Sequence, residues 1–293
     1  MHEHGIANPN VYQRVGWNAD GSVNAALLDK YLEIKRAAGL KIAPLYMVNI
    51  SAGTATDEAG IQAHAAKLAG VIAYAKGKGI NEVYFYGSDE APLDVLKSQR
   101  NMWKAVHAVG GRVSVACGPG FFDLVGDLLD LPIISGPPPA DVPRVHALGR
   151  KVFSYAMPQA GLEQPYTYRY YMGLWLDRSG MDGSCTYAYQ HCVGSAWNEF
   201  DSQSMRGHVF AYPTVDGVVD TIQWEGMREG VDDVRYLTTL RKAIERARHS
   251  WSWLRRRRAH ESELWLKALD IEGDLSDLRR QMQERIVALG AAR

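Results

Sequence analysis

Short apolar segments alternate with longer amphipathic ones from near the start of the chain to about residue 190. Short segments rich in β-branched and aromatic residues predict strands, whereas apolar residues spaced by three or four positions predict helices. Ile61, Leu68 and Ile72 belong to one helical stripe of this kind. The predicted strands are residues 6–12, 41–49, 82–86, 112–117, 131–135, 151–157 and 184–190.

Glycine marks the boundaries between these elements. Gly39, Gly79, Gly110 and Gly149 each stand shortly before a predicted strand, where a helix commonly ends on a residue of left-handed conformation. The repeated order of strand, helix, glycine and strand is that of the parallel crossover unit. This repeat predicts an α/β protein, either a doubly wound sheet or an eight-fold barrel.

The last third of the chain has a different pattern. Residues 208–213 and 218–224 flank a turn signal and predict a hairpin. From about residue 225 to the end, the apolar spacing is helical. Arg255–Arg258 lie in this helical region, and we interpret them as a solvated helix face because acidic residues follow closely.

Composition narrows the classes of partner. The 33 basic and 33 acidic residues cancel, which argues against nucleic acid or any other partner recruited by net charge. No apolar run approaches the roughly 18 residues of a membrane helix, and the first residues lack the layout of a secretion signal. We therefore expect no membrane association. The three cysteines are too few for a disulfide scaffold and leave the cellular compartment undetermined.

Two adjacent acidic residues, Asp89 and Glu90, follow the predicted strand 82–86. In parallel α/β folds, functional side chains collect at the carboxyl ends of the strands. Neighbouring carboxylates that share a site push their pKa values apart, which is the condition that acid/base catalysis needs. The other interpretation is that Asp89 caps the following helix and Glu90 lies in its first turn. The spacing alone leaves both interpretations open.

Tyrosine and tryptophan are frequent, with 15 and 8 residues against 6 phenylalanines. Their rings combine an apolar face with a polar group, which suits a pocket that holds sugar rings. Six of them stand at or near the ends of predicted strands, and together with the acid pair they predict a carbohydrate site. These candidate substrate-binding residues are Tyr46, Tyr86, Tyr155, Tyr187, Tyr189 and Trp197.

The stretch from Tyr84 to Pro92, with Asp89 and Glu90 inside it, resembles the strand-end signature of glycoside hydrolase family 123 and of its related catalytic-domain family. Further segments resemble that family in the same order and extend the resemblance over most of the chain. They are residues 149–155, 169–175, 183–190, Trp197, 212–213, 216–217 and 224–237.

The resemblance implies a TIM-type (β/α) barrel in which the acid pair follows the fourth strand. Because the pair follows the third predicted strand here, we expect the first strand and helix to lie upstream of Met1. The expected domains are an N-terminally incomplete catalytic barrel, residues 1–224, and residues 225–293, the last barrel helix plus a helical tail packed on the barrel. The two open sheet edges of such a barrel predict self-association.

The resemblance also implies a retaining glycosidase that works by substrate assistance, without metal or cofactor. Carried over, Glu90 is the general acid/base, and Asp89 orients the 2-acetamido group whose carbonyl oxygen attacks the anomeric carbon. The implied substrate is a β-linked N-acetylhexosamine, in particular an N-acetylgalactosaminide. Tyr187 and Gln190 stand where the family often has tryptophan and asparagine, so both are expected at the substrate and the subsite preference stays open.

Two alternatives accompany this expectation. A glycosidase of the same fold could act on a sugar without an acetamido group, with a carboxylate from another strand as nucleophile. A carbohydrate-binding protein without turnover would use the same aromatic residues. Members of the family are often exported, but this sequence leaves the localisation undetermined.

Overall fold

The computed structural model describes residues 1–12, 17–136, 140–155, 157–161, 163–202 and 206–291. Two compact units divide the chain. The first consists of Met1–Ala156 and Gly180–Cys185, and the second of Met157–Ser179 and Thr186–Arg293. The expected domain boundary at residues 224 and 225 stays a prediction.

The first unit contains a six-stranded parallel sheet whose strands follow one another in chain order. The strands are β1 (Leu45–Ser51), β2 (Val83–Tyr86), β3 (Arg112–Cys117), β4 (Leu131–Ser135), β5 (Phe153–Tyr155) and β6 (Gly183–Cys185). The helices of this unit are α1 (Ala25–Ala37), α2 (Glu58–Gly77), α3 (Leu93–Ser98), α4 (Arg100–Ala108), α5 (Phe121–Val125) and α6 (Val142–Ala147).

The two faces of this sheet differ in character because successive side chains on a strand point to opposite sides. Phe85 and Val115 lie on one face, close to Val106 and Trp103 of α4. The opposite face carries a cluster of aromatic and small apolar side chains, which we call the tyrosine face. It comprises Tyr46, Tyr84, Tyr86, Ala116, Leu131, Ile133, Phe153, Tyr155 and Cys185.

The sheet is strongly curved around the tyrosine face. Four inter-strand spacings of about 4.8 Å would place β1 and β5 roughly 19 Å apart in a flat sheet. The rings of Tyr46 on β1 and Phe153 on β5 nevertheless pack edge to face, with centroids 6.5 Å apart. The curvature therefore brings side chains of distant strands into one aromatic cluster.

The expected TIM-type barrel is wrong, although the α/β class holds. Among the described residues the sheet is open, with β1 and β6 as its outermost strands. The remaining strands of the described chain are β7 (Gln190–His191), β8 (His208–Val209), β9 (Ala211–Pro213) and β10 (Val218–Asp220). They belong to the second unit and form two antiparallel pairs, β7 with β8 and β9 with β10.

Two of the predicted strands do not extend the sheet as a TIM-type barrel requires. The segment 6–12 contributes a single bridge, from Val11 to Met47, because Pro9 has no N–H to donate to a ladder. Lys35 holds this segment instead, since its ammonium donates to the Pro9 carbonyl at 3.0 Å. The segment 184–190 leaves the sheet after Cys185. In addition, residue 156 of the predicted strand 151–157 lies outside the described residues.

The second unit is mainly helical. Its helices are α7 (Pro165–Tyr171), α8 (Leu174–Ser179), α9 (Ile222–Arg248), α10 (Trp253–Lys267) and α11 (Leu275–Ala291). The predicted hairpin is confirmed by the β9–β10 pair. α9 begins three residues before the predicted start, where the Thr221 hydroxyl accepts from the Trp224 N–H at 3.3 Å. Leu237, Leu240 and Ile244 are buried where α9 packs against α10 and α11.

Glycines let α7 and α9 approach to backbone contact. A Cβ atom on Gly226 would lie 2.2 Å from the Pro165 carbonyl oxygen, and one on Gly230 would lie 2.6 Å from that of Arg169. The spacing of four places both glycines on one side of α9. Any larger residue at these positions would separate the two helices.

A buried ion cluster links α7, α9 and α11. The Asp233 carboxylate is fully buried and accepts from Arg169 Nε at 2.7 Å and from Arg279 Nε at 2.5 Å. Arg169 also donates to the Leu275 carbonyl at 2.9 Å. One carboxylate thus holds the guanidinium groups of two other helices. Within the described residues, every helix is too short or too polar to cross a bilayer.

We expect Asp233→Asn to destabilise the protein by about 3–5 kcal/mol, because it removes the buried anion that two partly buried guanidinium groups share. The matched control is Asp232→Asn, which removes a partly exposed partner of Arg228 and Arg235. It should cost at most about 1 kcal/mol. Urea unfolding followed by helical circular dichroism measures both, and equal losses for the two variants would contradict this account.

Candidate functional site

The backbone leaves regular β geometry directly after Tyr86, the last residue of β2. Gly87 N–H donates to the Ser114 carbonyl at 2.9 Å, and Ser88 N–H donates to Gln99 Oε1 at 2.9 Å. A Cβ atom on Gly87 would lie 2.9 Å from the Trp103 ring, so the turn passes close to α4. Gln99 is buried and joins the turn to the start of α4. These contacts position the two acidic residues that follow.

Asp89 is held by a hydroxyl group of the tyrosine face. The Tyr86 hydroxyl donates to Asp89 Oδ1 at 2.7 Å and accepts from the Ala116 N–H at 3.1 Å. Burial and the bond to Asp89 raise the pKa of Tyr86, so the phenol stays protonated as a donor. The interpretation of Asp89 as a helix cap is wrong, because α3 starts at Leu93 and Pro92 occupies its N-cap position.

Glu90 sits on a strained backbone position beside Asp89. Its φ angle is +46°, the left-handed region that non-glycine residues rarely adopt. The Glu90 N–H donates to the Ala116 carbonyl at 3.1 Å, which holds this conformation in place. The side chain is exposed, and its carboxylate makes no hydrogen bond to any described residue. Strain of this kind clusters at functional sites, and here it presents a carboxylate to solvent.

The tyrosine face surrounds the end of β2 with hydroxyl-bearing rings. Tyr46 packs on Tyr84 with ring centroids 5.1 Å apart, and burial raises the pKa of Tyr46 to about 12. Tyr155 is half buried on the same face and close enough to Tyr86 to influence its pKa. Burial also raises the pKa of the Cys185 thiol to about 12. Cys185 is therefore a protonated apolar neighbour and not a nucleophile.

The remaining predicted residues lie in the second unit. The Tyr187 ring contacts His191 and His208 with centroids 5.3 and 5.5 Å away. Tyr189 packs against Trp224 at 5.6 Å. Gln190 is in β7, and its amide donates to the Ala211 carbonyl at 2.6 Å. All three contribute to the packing of the strands in this unit.

Trp197 forms an exposed aromatic platform in the second unit. Its ring stacks on Tyr212 with centroids 5.2 Å apart and an interplanar angle of 17°. The Tyr212 hydroxyl donates to Glu199, a buried carboxylate that also accepts from Arg206 Nε at 3.0 Å. Burial and this bond raise the pKa of Tyr212 to about 12. Tyr212 thus links the platform to an ion pair whose carboxylate is buried.

The first unit therefore brings Tyr46, Tyr86, Asp89, Glu90 and Tyr155 together at one sheet face and its carboxyl edge. The other predicted residues, Tyr187, Tyr189, Gln190 and Trp197, belong to the second unit and contact residues of that unit. That all of them bind one substrate stays a prediction.

Sequence reasoning missed Gln99, Glu199 and Arg206, which position the predicted residues. A buried polar side chain leaves no periodic signal, because its partners are distant in the chain. In the sequence, only the order of residues around Asp89 and the frequency of aromatic residues indicated the site.

No family model matches the chain, so the resemblance to glycoside hydrolase family 123 stays a prediction. No curated protein matches it either. Among solved structures, the chain is similar to a Bacillus subtilis protein described as a candidate sporulation-specific glycosylase, with 12% identity and a TM-score of 0.28. The similarity covers 49% of this chain, and the chain spans about 61% of that protein. At this level of likeness, function has to be judged from the site residues themselves.

We expect Tyr86→Phe to destabilise the protein by about 1–3 kcal/mol, because the buried Ala116 N–H loses its acceptor. The matched control is Tyr46→Phe, whose hydroxyl makes no hydrogen bond to a described residue. This control should change stability by no more than about 0.5 kcal/mol. Denaturant midpoints measure both variants. Equal midpoints for Tyr86→Phe and Tyr46→Phe would show that the Tyr86 hydroxyl does not hold the turn.

Proposed function

We propose that this protein is a retaining glycosidase acting on β-linked N-acetylhexosamine, with N-acetylgalactosaminides as the preferred substrates. The observation that carries the proposal is the pair of neighbouring carboxylates at the end of β2. One is bonded to a tyrosine hydroxyl at 2.7 Å, and the other is exposed on a strained turn. Both stand beside a curved aromatic sheet face, which suits the apolar faces of sugar rings.

In this proposal Glu90 supplies the proton transfers. As the acid, it protonates the glycosidic oxygen while the bond to the anomeric carbon breaks. As the carboxylate that remains, it then removes a proton from the attacking water. Because Glu90 makes no side-chain hydrogen bond to a described residue, its carboxyl is available to follow the leaving oxygen.

Asp89 acts on the acetamido group of the substrate. Its Oδ1 accepts from Tyr86, which leaves Oδ2 to accept from the acetamide N–H. That bond orients the acetamide carbonyl oxygen, which attacks the anomeric carbon and forms an oxazolinium ion. The ionised carboxylate stabilises the positive charge that develops on this ring. No bond forms between Asp89 and the sugar.

Sequence adjacency favours substrate assistance over a conventional retaining pair. A conventional acid and nucleophile flank the scissile bond with their carboxyl groups about 5 Å apart. Consecutive residues on one turn seldom face each other across a sugar ring. With the acetamide as nucleophile, the enzyme needs only an acid/base and an orienting carboxylate, and these two can come from neighbouring positions.

The proposal predicts that the protein hydrolyses para-nitrophenyl β-N-acetylgalactosaminide and that both acid variants are impaired. Glu90→Gln should lower kcat about a hundredfold or more on a disaccharide, whose leaving group needs a proton. It should have less effect on the nitrophenyl substrate, which has a good leaving group. Asp89→Asn should lower kcat about a hundredfold on both substrates, because it weakens the charge opposite the oxazolinium ion.

The matched control is Asp94→Asn, the same chemical change at an exposed residue of α3. It should leave kcat unchanged. Hydrolysis by the wild type with full activity in Glu90→Gln would contradict the assignment of the acid. Full activity in Asp89→Asn would remove substrate assistance and favour a glycosidase that uses another carboxylate. Sugar binding without hydrolysis would favour a binding protein.

A further inference from the structure

A polar cavity of about 490 Å³ lies in the first unit at the carboxyl end of β1. One wall is the segment that follows β1. The other wall is a stripe of α2 at spacings of three and four, made of two small residues and of His64 and Lys67. The lining residues are Ser51, Gly53, Thr54, Ala55, Gly60, Ala63, His64 and Lys67.

This cavity adjoins β2, the strand that the acid pair follows. Ser51 is the ladder partner of Tyr86, and the Ala52 N–H donates to the Tyr86 carbonyl at 2.7 Å. The hydroxyl of the same tyrosine donates to Asp89. Tyr86 therefore pairs through its main chain with the segment that lines the cavity, and its side chain binds Asp89.

The imidazole of His64 is fixed in one orientation. Its Nε2 donates to the Ser51 carbonyl at 2.9 Å, so Nε2 carries a proton, and in the neutral imidazole Nδ1 is an acceptor. Gly53 has a φ of +98°, and a Cβ there would lie 2.7 Å from His64 Cδ2. Only glycine permits this close contact. The opposite edge of the ring, with Nδ1, can accept from a hydroxyl group.

The other polar groups of the cavity are donors. The Ser51 hydroxyl accepts from the Gly53 N–H at 2.9 Å, and its own hydrogen can be donated to a ligand. Thr54 presents an exposed hydroxyl. The Lys67 ammonium lies 5.9 Å from the centre of the Trp17 ring and has no carboxylate partner among the described residues.

The acidic residues near the start of α2 do not line this cavity. Asp57 accepts from the Gly60 N–H at 2.8 Å as the helix cap. Glu58 accepts from the Gln62 amide at 2.8 Å. The cavity thus combines one positive charge, two hydroxyl groups and one imidazole acceptor, and no carboxylate contributes to its lining.

We infer that this cavity binds an anionic substituent, a carboxylate or a sulfate ester, of the sugar held at Asp89 and Glu90. The Lys67 ammonium binds the anion, with the hydroxyls of Ser51 and Thr54 as further donors. His64 Nδ1 accepts from a sugar hydroxyl. The inference rests on the proposed function and adds to it that the substrate class is an acidic or sulfated glycan.

Isothermal titration calorimetry tests this with methyl β-N-acetylgalactosaminide and its ring-sulfated derivative. The full chain with Glu90→Gln is used, so that neither probe is turned over. The sulfated probe should bind about tenfold more tightly, since a charge-assisted hydrogen bond is gained. Lys67→Met should abolish this difference. The matched control is Lys76→Met, an exposed lysine in the last turn of α2, which should preserve the difference.

Equal affinities for the neutral probe and both anionic probes, or equal effects of Lys67→Met and Lys76→Met on the preference, would overturn the inference. Inorganic sulfate that binds as tightly as the sulfated sugar would also overturn it, because the cavity would then hold an adventitious ion only. An N-acetylgalactosaminyl uronate serves as the second anionic probe, in which a carboxylate replaces the sulfate ester. Tighter binding of either anionic probe, if it depends on Lys67, supports the inference.

The aryl glycoside assay separates this inference from the proposed function. Hydrolysis by the wild type without any preference for an anionic probe would contradict the anion subsite but support the proposed glycosidase activity. A preference that depends on Lys67, without hydrolysis by the wild type, would support the anion subsite and contradict the proposed glycosidase activity.

Discussion

The peptide groups of Ala116 impose the constraint on which the candidate site depends. β2 ends at Tyr86, and the buried N–H and C=O of Ala116 on the neighbouring strand then need partners from outside a regular ladder. The Tyr86 hydroxyl accepts from the N–H, and the Glu90 N–H donates to the C=O. Because the same hydroxyl donates to Asp89, one residue of β3 fixes both acids.

This arrangement combines rigidity with exposure. The turn is fixed by Gln99 and Trp103 from one side and by Ala116 from the other, while both carboxylates remain exposed. Preorganised groups of this kind can stabilise charge that develops during a reaction without having to move. The second unit has a separate source of rigidity in the Asp233 ion cluster, which holds three of its helices.

Local pattern predicted much of the first unit. The predicted strands 112–117 and 131–135 have the bounds of β3 and β4, since short apolar runs between turn signals are a strong local signal. The TIM-type barrel was wrong because such a barrel depends on pairing between distant segments, and Pro9 weakens one of them. The cavity beside β1 could not be predicted from the sequence, because the apolar stripe of α2 indicates only the buried face of that helix. The capping role for Asp89 failed because a tyrosine hydroxyl three residues earlier binds its carboxylate.

The central claim is that Asp89 and Glu90 receive one acetamido sugar and that Asp89 stabilises the oxazolinium ion. The most direct measurement is calorimetric binding of a thiazoline derivative of N-acetylgalactosamine, a stable mimic of that ion. Intermediate analogues bind about a hundredfold or more tightly than substrates when the site is complementary to them. The account predicts such binding by the wild type and its loss in Asp89→Asn. Absence of binding by the wild type, or equal affinity in Asp89→Asn, would contradict it.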